Sequence, residues 1–311
     1  MDIPAVQVEN LRKTYGTTVA VDDVSFEVAQ GQVFGILGPN GAGKTTTVES
    51  VSGLRVGDSG RVRVHGVDPW TDRGAATRII GVQLQQTQLQ PKITVEEALR
   101  LWTSFYDDPR PWGELAERLD LTTHLRRHFG DLSGGQQQRL SVALALVGRP
   151  RVAVLDELST GLDPRARRDV WSLVRDIRDE GTTILLVTHA MEEAHELSDR
   201  IAIIDRGRVR AIGSPAELIG GASSATVVSF VPSAPIDLVP IRELADVSQV
   251  RSDGDRVVVE GGEGAPTAVL GALTSAGVVP HGLRVLDGTL DTAYLSLTDH
   301  ADDHDPEEAP A

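Results

Sequence analysis

The chain has 311 residues, of which 40% are apolar, enough for one large domain or two of moderate size. A formal net charge of −15 argues against a nucleic-acid partner, which would call for an excess of Lys and Arg on one face. The absence of cysteine excludes disulfides, thiol catalysis and thiolate metal sites, and fits a reducing compartment.

Met1-Asp2-Ile3-Pro4 places no basic segment before an apolar run, so no secretory leader is expected. Val6–Leu11, Val24–Val28 and Arg61–Val64 alternate polar and apolar residues, predicting an antiparallel β layer around the buried strand Val33–Leu37. From Thr94 to Val147 the spacing is helical, with Leu99, Trp102, Phe105, Leu115 and Leu119 on repeating faces and a turn at Asp107–Pro111. Val152–Leu155 and Thr183–Val187 are continuously apolar, and a helix from about Pro164 to Glu180, closed by Gly181, separates them; this order predicts a parallel sheet covered on both faces. A hairpin follows over Arg200–Ile212, turning at Asp205-Arg206-Gly207. Small residues at Gly220–Ser224 predict a linker. Beyond it, strands at Thr226–Val231, Arg256–Glu260 and Leu283–Leu286 and helices at Ile241–Asp246 and Pro266–Ala276 make a small α+β module. The acidic end, with His300 and His304, is expected to be a solvated tail and not a metal site. The chain's apolar runs, such as Ile184–Val187, are far too short to cross a bilayer, so any work at a membrane would need another chain to hold it there.

Three stretches carry chemistry. Gly38-Pro39-Asn40-Gly41-Ala42-Gly43-Lys44-Thr45 is a G-x-x-x-x-G-K-[ST] loop between a strand and the helical run that begins Thr46-Thr47. The glycines let successive N–H groups converge on phosphate oxygens, Lys44 reaches the β- and γ-phosphates, and the Thr45 hydroxyl suits Mg²⁺. Only three of the 30 basic residues are lysine (Lys13, Lys44 and Lys92), yet this position uses one. The spacing predicts a nucleoside-triphosphate site. Val152–Leu155 ends in Asp156-Glu157; Asp156 is placed to hold the Mg²⁺ shell and Glu157 to polarise a water. Leu132-Ser133-Gly134-Gly135-Gln136 is a turn at a helix start, suited to a second phosphate site and equally to a simple cap by Ser133.

With that last stretch the chain resembles the ATP-binding subunits of ABC transporters over about residues 3–218. The resemblance implies an α/β fold: a P-loop NTPase (RecA-like) core with an antiparallel β layer and a helical subdomain at about 86–147, together forming residues 1–220. An accessory α+β domain over 221–298 and a disordered tail over 299–311 would follow. It also implies that Tyr15 stacks on adenine, that Gln85 touches Mg²⁺ and the attacking water (Gln83 and Gln86 being close rivals), and that His189 contacts the γ-phosphate. Asp163 would signal across a dimer. Where the family commonly has Asp-Glu-Pro, this chain has Asp156-Glu157-Leu158, and loss of the proline is expected to loosen the turn.

In family terms two subunits, expected here to form a homodimer with a heterodimer as the alternative, would pair head to tail around ATP, so that Ser133, Gly134, Gly135 and Gln136 would complete the partner's site. The region from Thr94 would carry the motion to transmembrane permease subunits at the cytoplasmic face of the membrane. Gly288–Thr298, with Asp291 in place of a glutamate, resembles the end of daunorubicin-resistance-type exporter ATPases and favours export of a drug or lipid. The alternatives are an importer, or an ATPase of DNA repair or translation. The last two are disfavoured by the absence of a heptad run between the phosphate loop and Ser133, and by the presence of a single phosphate loop.

Overall fold

A computed structural model describes residues 3–83, 89–221, 226–253, 256–262, 264–286 and 289–299. Strand β1 (Val6–Tyr15) pairs antiparallel with β2 (Thr18–Val28). After the buried strand β3 (Val33–Leu37) and helix α1 (Lys44–Val51), β4 (Ser59–Val64) joins the other edge of β1. Alternation places Val6, Val8, Val24, Phe26, Val62 and Val64 in the core and leaves polar residues outside.

Next come α2 (Arg73–Ile79), capped by Asp72 accepting from the Ala75 N–H, and β5 (Ile80–Gln83). The sequence reading placed no strand at β5, a four-residue run interrupted by Gly81. That glycine is required: a Cβ there would lie 2.0 Å from the Ala145 carbonyl oxygen. The helical region holds α3 (Val95–Thr103), started by a Thr94–Glu97 capping box, α4 (Trp112–Arg118) and α5 (Gly134–Leu146). Leu99, Leu115 and Leu119 are buried as their spacing predicts. Phe105 is not: α3 stops at Thr103, the helical phase ends with it, and the ring is 66% exposed.

The remaining elements of the first unit are β6 (Val152–Asp156), α6 (Pro164–Asp179), β7 (Thr183–Thr188), α7 (Met191–Leu197), β8 (Arg200–Asp205) and β9 (Arg208–Gly213). The strands form a six-stranded sheet in the order β5-β6-β7-β3-β8-β9, parallel except for β9. Its two faces divide the core. Phe34, Ile36, Val152, Val154, Leu185 and Val187 pack with the antiparallel layer and α1, and the Phe26 and Phe34 rings stack at 5.2 Å. Val33, Ala153, Leu155, Ile184 and Leu186 pack with α5, α6 and the helical region. Each of these side chains larger than alanine contributes about 1.5–3 kcal/mol of burial. All the parallel strands therefore end on one edge, where open α/β sheets place their ligands.

The chain divides into two units, Met1–Pro215 and Ala216–Ala311. Helix α8 (Pro215–Gly221) runs through Gly220 and Gly221, where a linker was expected; residues 222–225 lie outside the described residues. The second unit contains β10 (Thr226–Pro232), α9 (Val239–Arg242), β11 (Val247–Asp253), β12 (Arg256–Gly261), α10 (Ala265–Ser275), β13 (Pro280–Leu286) and α11 (Leu290–Asp299). Its antiparallel sheet, ordered β11-β12-β10-β13, has the β-α-β-β-α-β succession of a split βαβ fold. Ile241, Val269 and Leu273 cover Val228, Phe230, Val257 and Val259. The helix expected at Ile241–Asp246 is shorter and earlier, because β11 begins at Val247. Asp299, assigned to the tail, is the last residue of α11, and residues 300–311 lie outside the described residues.

Candidate functional site

Strand β3 delivers the chain to the loop Gly38–Gly43, and α1 carries it away. Lys44 begins that helix, is 7% exposed, and donates from Nζ to the carbonyls of Gly38 at 2.8 Å and Pro39 at 2.9 Å. Burial lowers the Lys44 pKa, opposed by the carboxylates of Asp156 and Glu157. Gly43 has φ 96, and a Cβ there would meet the Ala20 carbonyl oxygen at 2.2 Å. Gly43→Ala is therefore expected to weaken ATP binding by tenfold or more, from about 1–2 kcal/mol of left-handed strain plus the clash. Titration with a fluorescent ATP analogue checks it. The loop encloses a cavity of about 360 Å³ lined by Ala20, Asn40, Gly41, Gly43, Lys44, Thr45, Thr46, Asp156 and Glu157. Gly38 and Ala42 belong to the loop but do not line the cavity. Ala20, on β2, was not anticipated, since β2 reaches the loop only through the fold.

Asp156 ends β6 and is 2% exposed. Burial and the neighbouring Glu157 carboxylate push its pKa up to about 6, against the pull of Lys44 and a hydrogen bond from the Thr45 hydroxyl. Its Oδ2 is buried without a hydrogen-bond partner. An orphaned carboxylate oxygen beside a hydroxyl and the phosphate loop fits a small hard cation that takes its other ligands from water and phosphate, as Mg²⁺ does.

Because Asp156 pairs with Val187 across β6 and β7, the residues that follow the two strands emerge together. Glu157 Oε1 lies 3.0 Å from His189 Nδ1, uniting two residues read separately from the sequence. Glu157 has φ 52, a costly left-handed conformation for this residue type, and its N–H donates to the Val187 carbonyl at 2.8 Å. Gln83 is buried and committed: its Nε2 donates to the Asp156 carbonyl at 3.0 Å and its Oε1 accepts from the Asp156 N–H at 3.1 Å. That tie from β5 to β6 was missed. Gln85 and Gln86 lie outside the described residues.

Ser133 caps α5: its Oγ accepts from the Gln136 N–H at 3.3 Å, and Gln136 Oε1 accepts from the Ser133 N–H at 3.0 Å. Ser133 and Gly134 are exposed, and none of Ser133, Gly134, Gly135 and Gln136 lines the phosphate-loop cavity. Further along α5, Gln138 Nε2 donates to the carbonyls of Glu157 at 3.1 Å and Leu158 at 3.2 Å. Leu158 itself is fully buried in the core. Apolar packing and two accepted hydrogen bonds thus restrain the turn that lacks the proline. Asp163 caps α6, its Oδ1 accepting from the N–H groups of Ala166 at 3.0 Å and Arg165 at 2.9 Å, which hold its pKa below the usual carboxylate value. Tyr15 is 42% exposed, with the Arg55 guanidinium 5.2 Å and Lys13 Nζ 5.9 Å from its ring centroid.

A family model described as ABC transporter matches residues 21–160. The linearmycin resistance ATP-binding protein LnrL of Bacillus subtilis is 32% identical over 304 residues, covering 94% of this chain and 98% of that protein. The chain belongs to the ABC transporter ATP-binding family. This ABC subunit is also 36% identical to the daunorubicin resistance ATP-binding protein DrrA3 of Streptomyces coeruleorubidus, over 94% of its own length and 96% of the relative's. A dimeric ATP-binding cassette solved in a post-hydrolysis state with ADP and Pi matches it with a TM-score of 0.62 at 25% identity, covering 67% of this chain and 98% of that one. The ABC subunit is thus a nucleotide-binding P-loop ATPase. No described helix in it is long and apolar enough to cross a membrane.

Proposed function

We infer that this ATPase drives export of an antibiotic- or drug-like molecule through separate membrane subunits, and that it works as a head-to-tail pair of identical chains at the cytoplasmic face of the membrane. The observation that supports the pairing is that the turn at Ser133–Gln136, with Ser133 and Gly134 exposed, does not line the cavity built by Lys44, Thr45 and Asp156 in its own chain. A second copy supplies its Ser133 and Gly135 to the phosphates held by the first, and dimeric relatives support that arrangement.

In hydrolysis Lys44 and the loop N–H groups hold the β- and γ-phosphates. Thr45 and Asp156 would hold Mg²⁺, with Gln85 as a further candidate ligand; when bound, the ion neutralises charge on the phosphate oxygens. Glu157 orients a water and takes its proton as the oxygen attacks the γ-phosphorus and the β–γ bridging bond breaks. His189 fixes the Glu157 carboxylate and meets the γ-phosphate, Tyr15 stacks on adenine, and the Asp163 loop faces the partner. Release of phosphate removes the bridge, and the pair opens.

Export is supported by resistance-protein relatives that match over more than nine-tenths of their length, the second unit included. Cells expressing the chain with its membrane subunits are expected to accumulate less of a fluorescent amphipathic antibiotic, and Lys44→Ala should abolish the difference. Accumulation raised by active enzyme would show import.

A further inference from the structure

A second acid lies near the Glu157–His189 pair, and the hydrolytic steps leave it unused. Glu193 stands on α7, four residues after His189, and is 2% exposed. Its Oε1 accepts from the Ser159 hydroxyl at 2.5 Å and from the Trp171 indole N–H at 3.3 Å. Ser159 and Trp171 are themselves buried. A buried carboxylate is costly unless donors surround it, and an apolar residue would serve simple packing better. The seam between α6 and α7, which the Trp171 bond also crosses, has further ties. Arg167 pairs with Glu192 at 3.0 Å and Arg175 with Glu196 at 3.1 Å along the surface of those helices.

What Glu193 joins is more specific. Ser159 follows Glu157 by two residues, so one carboxylate ties the stem of the Glu157 turn to the helix that follows His189. Gln138 holds the same turn from the side of α5. With φ 52 at Glu157, the turn holds a strained conformation that persists only while its surroundings restrain it.

We propose that Glu193 is a positioning residue for hydrolysis: through Ser159 it keeps the Glu157 turn in the conformation that presents its carboxylate to His189 and the attacking water. The proposal rests on the reading of Glu157 as the catalytic base.

The test uses the full chain and measures kcat and KM for ATP together with thermal melting. Ser159→Ala removes one hydroxyl and leaves both helices packed. Its kcat is expected to fall about tenfold, with KM within about twofold and little change in melting temperature, the signature of a misplaced reacting group. Glu193→Ala should show the same split more strongly, and adding Ser159→Ala to it should cost nothing further, since the two act through one contact. Glu193→Gln keeps an acceptor oxygen and should recover most of the lost kcat. If Glu193→Ala fails to fold, Ser159→Ala decides alone. A Ser159→Ala kcat equal to that of the unmodified chain, or a loss carried by KM, overturns the proposal. Glu157→Gln, assayed in parallel, separates the two claims: its loss of turnover beside normal turnover in Ser159→Ala refutes the positioning role only, whereas full turnover in Glu157→Gln refutes both.

Discussion

Glu157→Gln is expected to lower ATP turnover by about 10²–10⁴-fold, the usual contribution of a positioned general base, while leaving ATP affinity nearly unchanged. The amide matches the carboxylate in shape, so the 3.0 Å contact with His189 and the backbone hydrogen bond to Val187 can persist. Lys44, Thr45 and Asp156 are untouched, and with them the phosphate cradle. Only the ability to take a proton from water is lost. Binding without hydrolysis leaves the triphosphate bridging two chains, so the variant should accumulate as an ATP-dependent dimer. Phosphate release gives the rate, and light scattering with and without ATP gives the mass. Turnover within tenfold of the unmodified chain would remove Glu157 from the role of base.

The parts of the molecule legible in the sequence are those whose cause is local. The phosphate loop announces itself because only glycines permit its curl, and strands such as those at Val33–Leu37 and Val152–Leu155 because burial on both faces demands apolar runs without polar residues. Ser133 could be read twice over, as a cap and as a phosphate ligand, whereas Asp163 was read only as a contact across the dimer; the hydrogen bonds show both as caps, and the exposed Ser133-Gly134 turn leaves its second role to the partner. What the sequence hid depends on register between distant segments. Gln83 meets the Asp156 main chain only because β5 lies beside β6, and Ala20 reaches the phosphate loop only because β2 folds over α1. Glu193 reads as one of three glutamates in Met191-Glu192-Glu193-Ala194-His195-Glu196-Leu197 until the fold buries that one and exposes Glu192 and Glu196. Phe105 erred the other way: a helical period was continued past the residue at which the helix stops. Strand β11, with two apolar residues in seven, carried too weak an alternation to be seen.

Mixing two inactive variants is expected to restore activity. Lys44→Ala destroys the phosphate cradle of its own chain but leaves Ser133–Gln136 intact; Gly135→Asp does the reverse, setting a negative side chain against phosphate. Each variant alone builds only defective sites, if every site takes its cradle from one chain and its serine–glycine turn from the other. In a mixed dimer the two lesions fall in the same site, and the second site combines an intact cradle with an intact turn. Nucleotide trapping at that site, in the Glu157→Gln background, isolates assembly from chemistry. ATP-dependent dimers in that background, and ATP hydrolysis at up to about half the normal activity per dimer when Glu157 is kept, both appearing only in the mixture, are the predicted result. A mixture as inactive as its components, or Gly135→Asp alone retaining full ATP-dependent pairing, would contradict a nucleotide shared between two chains.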